Sequence, residues 1–242
     1  MKAIWTAIYA TALLGVSAPS SQATTDRTDL NLPKILRPTA SIGKAPWILV
    51  AGAHTNINTI EVFLTSVRAA PAKHFYSSIG IGSSSHLAWE AFKKLAGLDI
   101  KHVPYAGGGD ANNAVIHKEV DFTLSGAMFP LSQTADARAL AVLSDKRSPL
   151  LPNTPTLQES GVDFTSYAWM GVAAPSETPT PIIETLNSAV AAALRDPEIL
   201  RRMALIGYDP SPLSVADVTT FMDKEYASYR KAAEEAGFKT VK

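Results

Sequence analysis

The sequence predicts an α/β fold, a mostly parallel sheet with helices on its faces. Three observations carry this. Short apolar runs alternate with stretches whose apolar residues recur at helical spacing, giving β-α-β-α-β traffic from His74 to Leu143. Glycine turns stand where strand passes into helix, at Gly80-Ile81-Gly82 and Gly107-Gly108-Gly109. After Tyr167 the chain becomes helical, with Thr180-Pro181 and Asp196-Pro197 as helix starts.

Each element follows in order. Lys2, an apolar run from Ile4 to Val16 and then Ser17 to Ala23 have the layout of a secretory signal. The run is shorter than the roughly 17–25 residues a membrane-spanning helix needs. Ser21 and Ala23 fit a small-x-small cleavage site, so residues 1–23 are expected to be removed near Ala23 after export. Thr24 to Lys44 is polar and proline-interrupted and reads as a loosely structured lead-in. Pro46 to Ala51 reads as a buried strand. Asn58 to Ala69 reads as a helix, with Ile60, Phe63, Leu64 and Val67 on one face and Thr59 or Asn58 as its cap.

His74 to Ser78 reads as a strand. The helix after the first glycine turn carries Leu87, Ala88, Ala91, Phe92 and Leu95 as its apolar stripe and ends at Gly97. Ile100 to Val103 is a strand, Asp110 to His117 a helix, and Val120 to Leu124 and Ala137 to Leu143 are further strands. Tyr167 to Ala174 is a strand leading out of this unit. Three helices close the chain. Ile182, Ile183, Leu186, Val190 and Ala193 form the buried face of the first. Asp196-Pro197 opens the second. Ser214 to Asp217 resembles a capping box opening the third, with Val218, Phe221, Met222 and Tyr229 inward and Ala236-Gly237 at its end. Trp169 is expected in the core between lobes. The predicted organisation is residues 24–72 in a first lobe, 73–167 as a second α/β lobe, and 168–242 returning to the first. A chain that leaves one lobe and returns builds a cleft between them.

Composition narrows the function. The 242 residues hold 22 basic and 22 acidic side chains, so nothing favours nucleic acid or an anionic membrane. There is no cysteine, hence no disulfide, thiolate metal site or lipid-anchored cysteine. His54, His74, His86, His102 and His117 have no ligand spacing, so neither metal nor cofactor is expected. No segment beyond the signal is long and apolar enough to cross a membrane.

The strongest local feature is Ser77-Ser78-Ile79-Gly80-Ile81-Gly82-Ser83-Ser84-Ser85-His86, between a strand and a helix N-terminus. Glycines admit a ligand to the backbone, and first-turn N–H groups with the helix dipole favour an anion. The same spacing also suits a tight turn whose serines only cap the helix. It nearly fits the dinucleotide fingerprint with Ser85 in place of the third glycine, but Asp99 precedes the second strand instead of following it. His102-Val103-Pro104-Tyr105-Ala106-Gly107-Gly108 repeats the strand-turn-helix pattern, and in an open sheet it would lie beside the first loop. No nucleophile, base and orienter assemble, so binding without chemistry is the simpler reading.

Tyr76 to Leu87, followed in order by Val103 to Gly108, Arg138 to Val142, Lys146 to Pro149, Leu151 to Thr156 and Gly171 to Pro175, resembles the tripartite tricarboxylate transporter receptors. These are the Bug-type or UPF0065 periplasmic solute-binding proteins. The resemblance implies a two-lobed, type II Venus-flytrap binding protein and not an enzyme. It implies a periplasmic receptor that takes a small dicarboxylate, tricarboxylate or aromatic acid and passes it to a membrane permease. Carried over, the ligand residues are Ser77, Ser78, Gly80, Gly82, Ser83, Ser84 and His86, then Tyr105, Gly107 and Gly108, with Ser125 and Gly126 at a strand end. The family's opening strand, proline-glycine loop and helix have no counterpart before Trp47. The first lobe is therefore expected to be incomplete, with apolar faces exposed and binding impaired. An exported hydrolase using Ser83 or Ser84, and a non-functional relic, stand as alternatives.

Overall fold

Two sheets organise the computed structural model, which describes residues 35–126, 134–235 and 237. The expected signal and Ala236 lie outside the described residues. In chain order the elements begin with β1 (Leu36–Pro46), β2 (Ile48–Gly52), α1 (Ile60–Ala69), β3 (Phe75–Ser78) and α2 (Ser84–Ala96). They continue with β4 (Lys101–Pro104), α3 (Gly108–Ile116), β5 (Phe122–Ser125), β6 (Ala137–Val142) and β7 (Tyr167–Pro175). The last are α4 (Thr180–Ala193), α5 (Pro197–Leu205), β8 (Asp209–Pro210) and α6 (Val215–Glu235).

One sheet has the order β4-β3-β5-β2-β6. β3 runs parallel to β4 and β5, while β2 is antiparallel to β5 and β6. The mostly parallel sheet is therefore present, with β2 as its one reversed strand. β2 also corrects the expected lobe boundary at Lys73. Residues 48–69 pair and pack with this sheet and not with the first lobe.

The core on one face is built by α1 and α2. Thr59 caps α1 by accepting from Val62 N, and Ile60, Phe63, Leu64 and Val67 are all buried. Phe63 meets Phe122 edge-on at 4.8 Å, and Phe92 packs on Trp89 and Phe164. Each such side chain contributes roughly 1.5–3 kcal/mol. On α2 Leu87, Ala88 and Phe92 of the expected stripe are buried, joined by Ser85, His86, Trp89 and Ala96, while Leu95 is 56% exposed. The buried face is wider than expected on the Trp89 side and omits Leu95. Gly97, at φ +64°, closes α2 in the left-handed conformation. The Arg68 guanidinium donates twice to Ala96 O, at 3.0 and 2.7 Å, and so ties α1 to that end. α3 covers the other face with Ala114 and Val115.

The second sheet has the order β7-β1-β8. β1 corrects the expected loose lead-in from Leu36 onward, residues 24–34 lying outside the described residues. It runs eleven residues and pairs with β7 along its length. Its inward residues, Thr39, Ala40, Ser41, Gly43 and Ala45, are small because neighbours press close. A Cβ on Gly43 would lie 2.6 Å from Asp209 O. Ala45, Leu194, Met203 and Tyr208 form a small core there. Asn187 Nδ2 donates to Thr39 O and Leu213 O and clamps α4 across the sheet.

Of the face expected to be buried on α4, Ile183 is buried, but Ile182 and Leu186 are 51% and 38% exposed. Trp169 packs inside this lobe and not between lobes. It meets Phe221 of α6 edge-on at 5.5 Å, and its Nε1 donates to Glu225. The chain passes between the sheets at Pro46-Trp47 and again at Ser166-Tyr167. There Trp47 N donates to Ser166 O, Ser166 N to Leu143 O and Leu143 N to Trp47 O.

Candidate functional site

β3 and β4 are parallel neighbours, so the two glycine turns that follow them emerge side by side at one sheet edge. Tyr105 N donates to Ser78 O at 3.0 Å. A Cβ on Gly80 would lie 3.7 Å from Tyr105 O, and one on Gly108 would lie 3.9 Å from Ile79. Gly80 and Gly82 have φ of +122° and +73°, which only glycine adopts without strain. Each turn feeds a helix N-terminus. Ser83 caps α2 by accepting from His86 N, whereas Gly107 opens α3 with no side-chain cap and nothing within 4 Å of an added Cβ. Two helix starts with open approach make this edge suited to an anion.

The hydroxyls divide into framework and rim. Ser77 is fully buried and its Oγ donates to Ala111 O, joining β3 to α3. Ser78 Oγ donates to Gly80 O, accepts from Gly80 N and lies 2.7 Å from His102 Nε2. Ser85 Oγ accepts from Ile79 N, which fills the place a third glycine would have in a nucleotide loop. Ser84 is buried at the first turn of α2. At the neighbouring end of β5, Ser125 Oγ is buried and meets no hydrogen-bond partner among the described residues. Gly126 answers to packing, since a Cβ there would lie 2.9 Å from Ala168 Cβ and 3.0 Å from Trp47 Cζ3.

Behind the loop lies a buried cluster. His86 and His102 stack with centroids 3.8 Å apart and planes 14° apart, and Tyr76 stacks on His102 at 4.9 Å. His86 Nδ1 accepts from Gly82 N at 3.0 Å. Tyr76 Oη and Lys93 Nζ each donate to Glu90 Oε1 at 2.6 Å. Burial pushes His86 down to about 4, offset in part by Glu90 and reinforced by Lys93. Burial, then the neighbouring His86, brings His102 down to about 4 as well. Burial and the Glu90 acceptor raise Tyr76. Burial opposes the charge on Glu90, but the donors Lys93 and Tyr76 outweigh it and hold the carboxyl below its usual range. Burial and a bond to Glu119 push Tyr105, on the second turn, up to about 12.

A concavity of about 470 Å³ opens elsewhere, between α2 and α6. Its charged walls are already matched as Glu90–Lys93 and Lys94–Glu235, so it offers an anion less than the twin turns do. His86 Nδ1, the candidate base next to Ser83 and Ser84 in sequence, is taken up by the Gly82 N–H. The sequence reading missed His102, Tyr76 and Glu90 as a group. Their partners lie 14 to 24 positions apart in the chain, beyond any local motif. No helix among the described residues is long and apolar enough to cross a membrane.

The family model described as "Tripartite tricarboxylate transporter family receptor" matches residues 11–238. A UPF0065 protein of Bordetella pertussis is 30% identical over 214 residues, covering 86% of this chain and 66% of that protein. Among solved structures, R. palustris Rpa4515 with adipate aligns with a TM-score of 0.80 at 29% identity, covering 88% of this chain and 72% of that one. The periplasmic binding protein BugD aligns at 0.79 and 26% identity, over 86% and 72%. The chain spans about half to two thirds of the length of such curated relatives.

Proposed function

Since the chain belongs to the tripartite tricarboxylate transporter receptor family, whose members bind solutes and are not enzymes, we propose that it binds a small organic carboxylate at the twin turns after β3 and β4. The observation that carries this is the pair of adjacent helix N-termini with glycine access, one of them free of a side-chain cap. A carboxylate oxygen set between them accepts backbone N–H bonds along both helix dipoles. Gly80, Gly82, Gly107 and Gly108 supply the close approach, Ser83, Ser84 and Tyr105 form the rim, and Ser125 Oγ supplies a further donor. Ser77, Ser78 and His86 hold the floor. That Rpa4515 was solved with adipate supports a dicarboxylate among the tricarboxylate and aromatic acids considered. Export through residues 1–23 and delivery to a membrane permease complete the reading.

Calorimetric titration with adipate, a tricarboxylate and an aromatic acid tests it. Saturable binding of one class is expected. Gly107→Asp is the sharp control. Its backbone is extended and its Cβ position open, so the helix is well capped, but a carboxylate then fills the anion seat. A loss of at least about tenfold in affinity with unchanged melting is expected, worth about 1.4 kcal/mol. Unchanged affinity in that variant would sink the assignment, as would cooperative melting with no response to any acid.

A further inference from the structure

We propose that His86 and His102 form a stacked pair that sets the shape of the glycine loop, and so act as positioning residues for the carboxylate seat. This rests on the carboxylate reading of that loop.

The hydrogen-bond inventory assigns the protons. Ser78 Oγ bridges Gly80 O at 3.0 Å and His102 Nε2 at 2.7 Å, and with its one proton turned to Gly80 O the imidazole is the donor to it. His86 Nδ1 accepts the Gly82 N–H, so its proton sits on Nε2, on the side of Glu90 Oε1 at 3.9 Å. His102 thus holds the loop's first glycine through Ser78, and His86 holds its second directly. Both glycines have positive φ, which glycine adopts freely, so the two anchors select one loop shape among those open to it.

Among the described residues, the charged and titratable groups set against the pair include Glu90 and Lys93 from α2 and Tyr76 from β3. Glu90 favours a proton on the pair. Lys93, burial and the 3.8 Å stacking of one imidazole on the other oppose it. A proton added at His86 Nδ1 would face the Gly82 N–H donor to donor, and the loop would lose that anchor.

Two variants of His102 separate positioning from bulk. In His102→Phe the stack is kept and the donor to Ser78 lost, and adipate affinity is expected to fall about tenfold at pH 7.5. In His102→Gln a side-chain amide replaces Nε2–H, and affinity is expected to recover to within about threefold of the parent. Equal loss in both variants, or none in His102→Phe, overturns the proposal. A ligand-free readout keeps the question apart from adipate. In the ¹H–¹⁵N spectrum the Gly82 amide should move with the titration of His86, with a midpoint near pH 4. His86→Asn, whose Oδ1 stands in for Nδ1 and does not titrate, should abolish that movement. A Gly82 signal that moves while adipate never binds supports the pair and removes the carboxylate reading. A Gly82 signal indifferent to His86 overturns the pair.

Discussion

Gly126→Ala tests whether a residue at the sheet edge serves the ligand or the packing. The added Cβ would lie 2.9 Å from Ala168 Cβ, and 3.0 and 3.3 Å from two Trp47 ring carbons. Ordinary contacts begin near about 3.5 Å, so neighbours must give by roughly half an ångström. They are poorly placed to do so. Trp47 is 4% exposed and held on both sides of its backbone by Ser166 and Leu143, and Ala168 is strand-paired with Ala45. Overpacking against such neighbours costs about 1–3 kcal/mol. In a chain of this size 2 kcal/mol lowers the melting temperature by about 4–8 °C. Urea unfolding followed by tryptophan fluorescence would measure it. Ala168→Gly, added to the first change, should restore part of the loss by removing the 2.9 Å contact, but not all, because the Trp47 contacts stay. If Gly126→Ala leaves stability within about 0.5 kcal/mol while adipate affinity collapses, the packing account is wrong and Gly126 serves the ligand.

Three further outcomes are expected. The folded protein takes up protons at His86 and His102 less readily than the unfolded chain, since both are lowered to about 4. Stability is then full above about pH 6.5 and falls as the pH drops from there toward 4. The loss by pH 5 is at most about 2 kcal/mol from His86, and His102 adds less because solvent screens it and its shift is partly shared with His86. Urea midpoints at pH 7.5 and 5 should show it, and the double variant His86→Asn with His102→Gln should flatten it. Ser77→Ala removes the donor to a buried Ala111 carbonyl and should cost about 1–2 kcal/mol in chemical denaturation. Asp196→Ala loses the cap on Glu198 N and Ile199 N at the start of α5, and should cost about 1 kcal/mol by the same assay.

What could be read from the sequence was what is local. Thr59 as a cap, Asp196-Pro197 as a helix start and the Ile60-Phe63-Leu64-Val67 stripe are written within one or two turns of chain, and each is found in place. The order Ser77 to His86 pointed to a strand, a glycine turn and a helix start, which is the observed arrangement. β1 was hidden because its buried face is Thr39, Ala40, Ser41, Gly43 and Ala45, residues too small to give an apolar alternation. The place of β2 in the larger sheet was hidden because it depends on pairing with residues more than seventy positions downstream. His102 was hidden too, because Ser78 lies 24 positions away, beyond any local motif.

The paired crossings at Trp47 and Ser166 have a mechanical consequence. Two strands bonded side by side at one point act as a single pivot pin, so they pass torque about one axis and resist shear or independent twist. Away from that pin, α6 reaches α2 through Lys94 and Glu235, an exposed ion pair that solvent and salt screen. The covalent and hydrogen-bonded link between the two sheets is thus gathered at Trp47, Leu143 and Ser166, so a change at any one of them bears on both sheets at once.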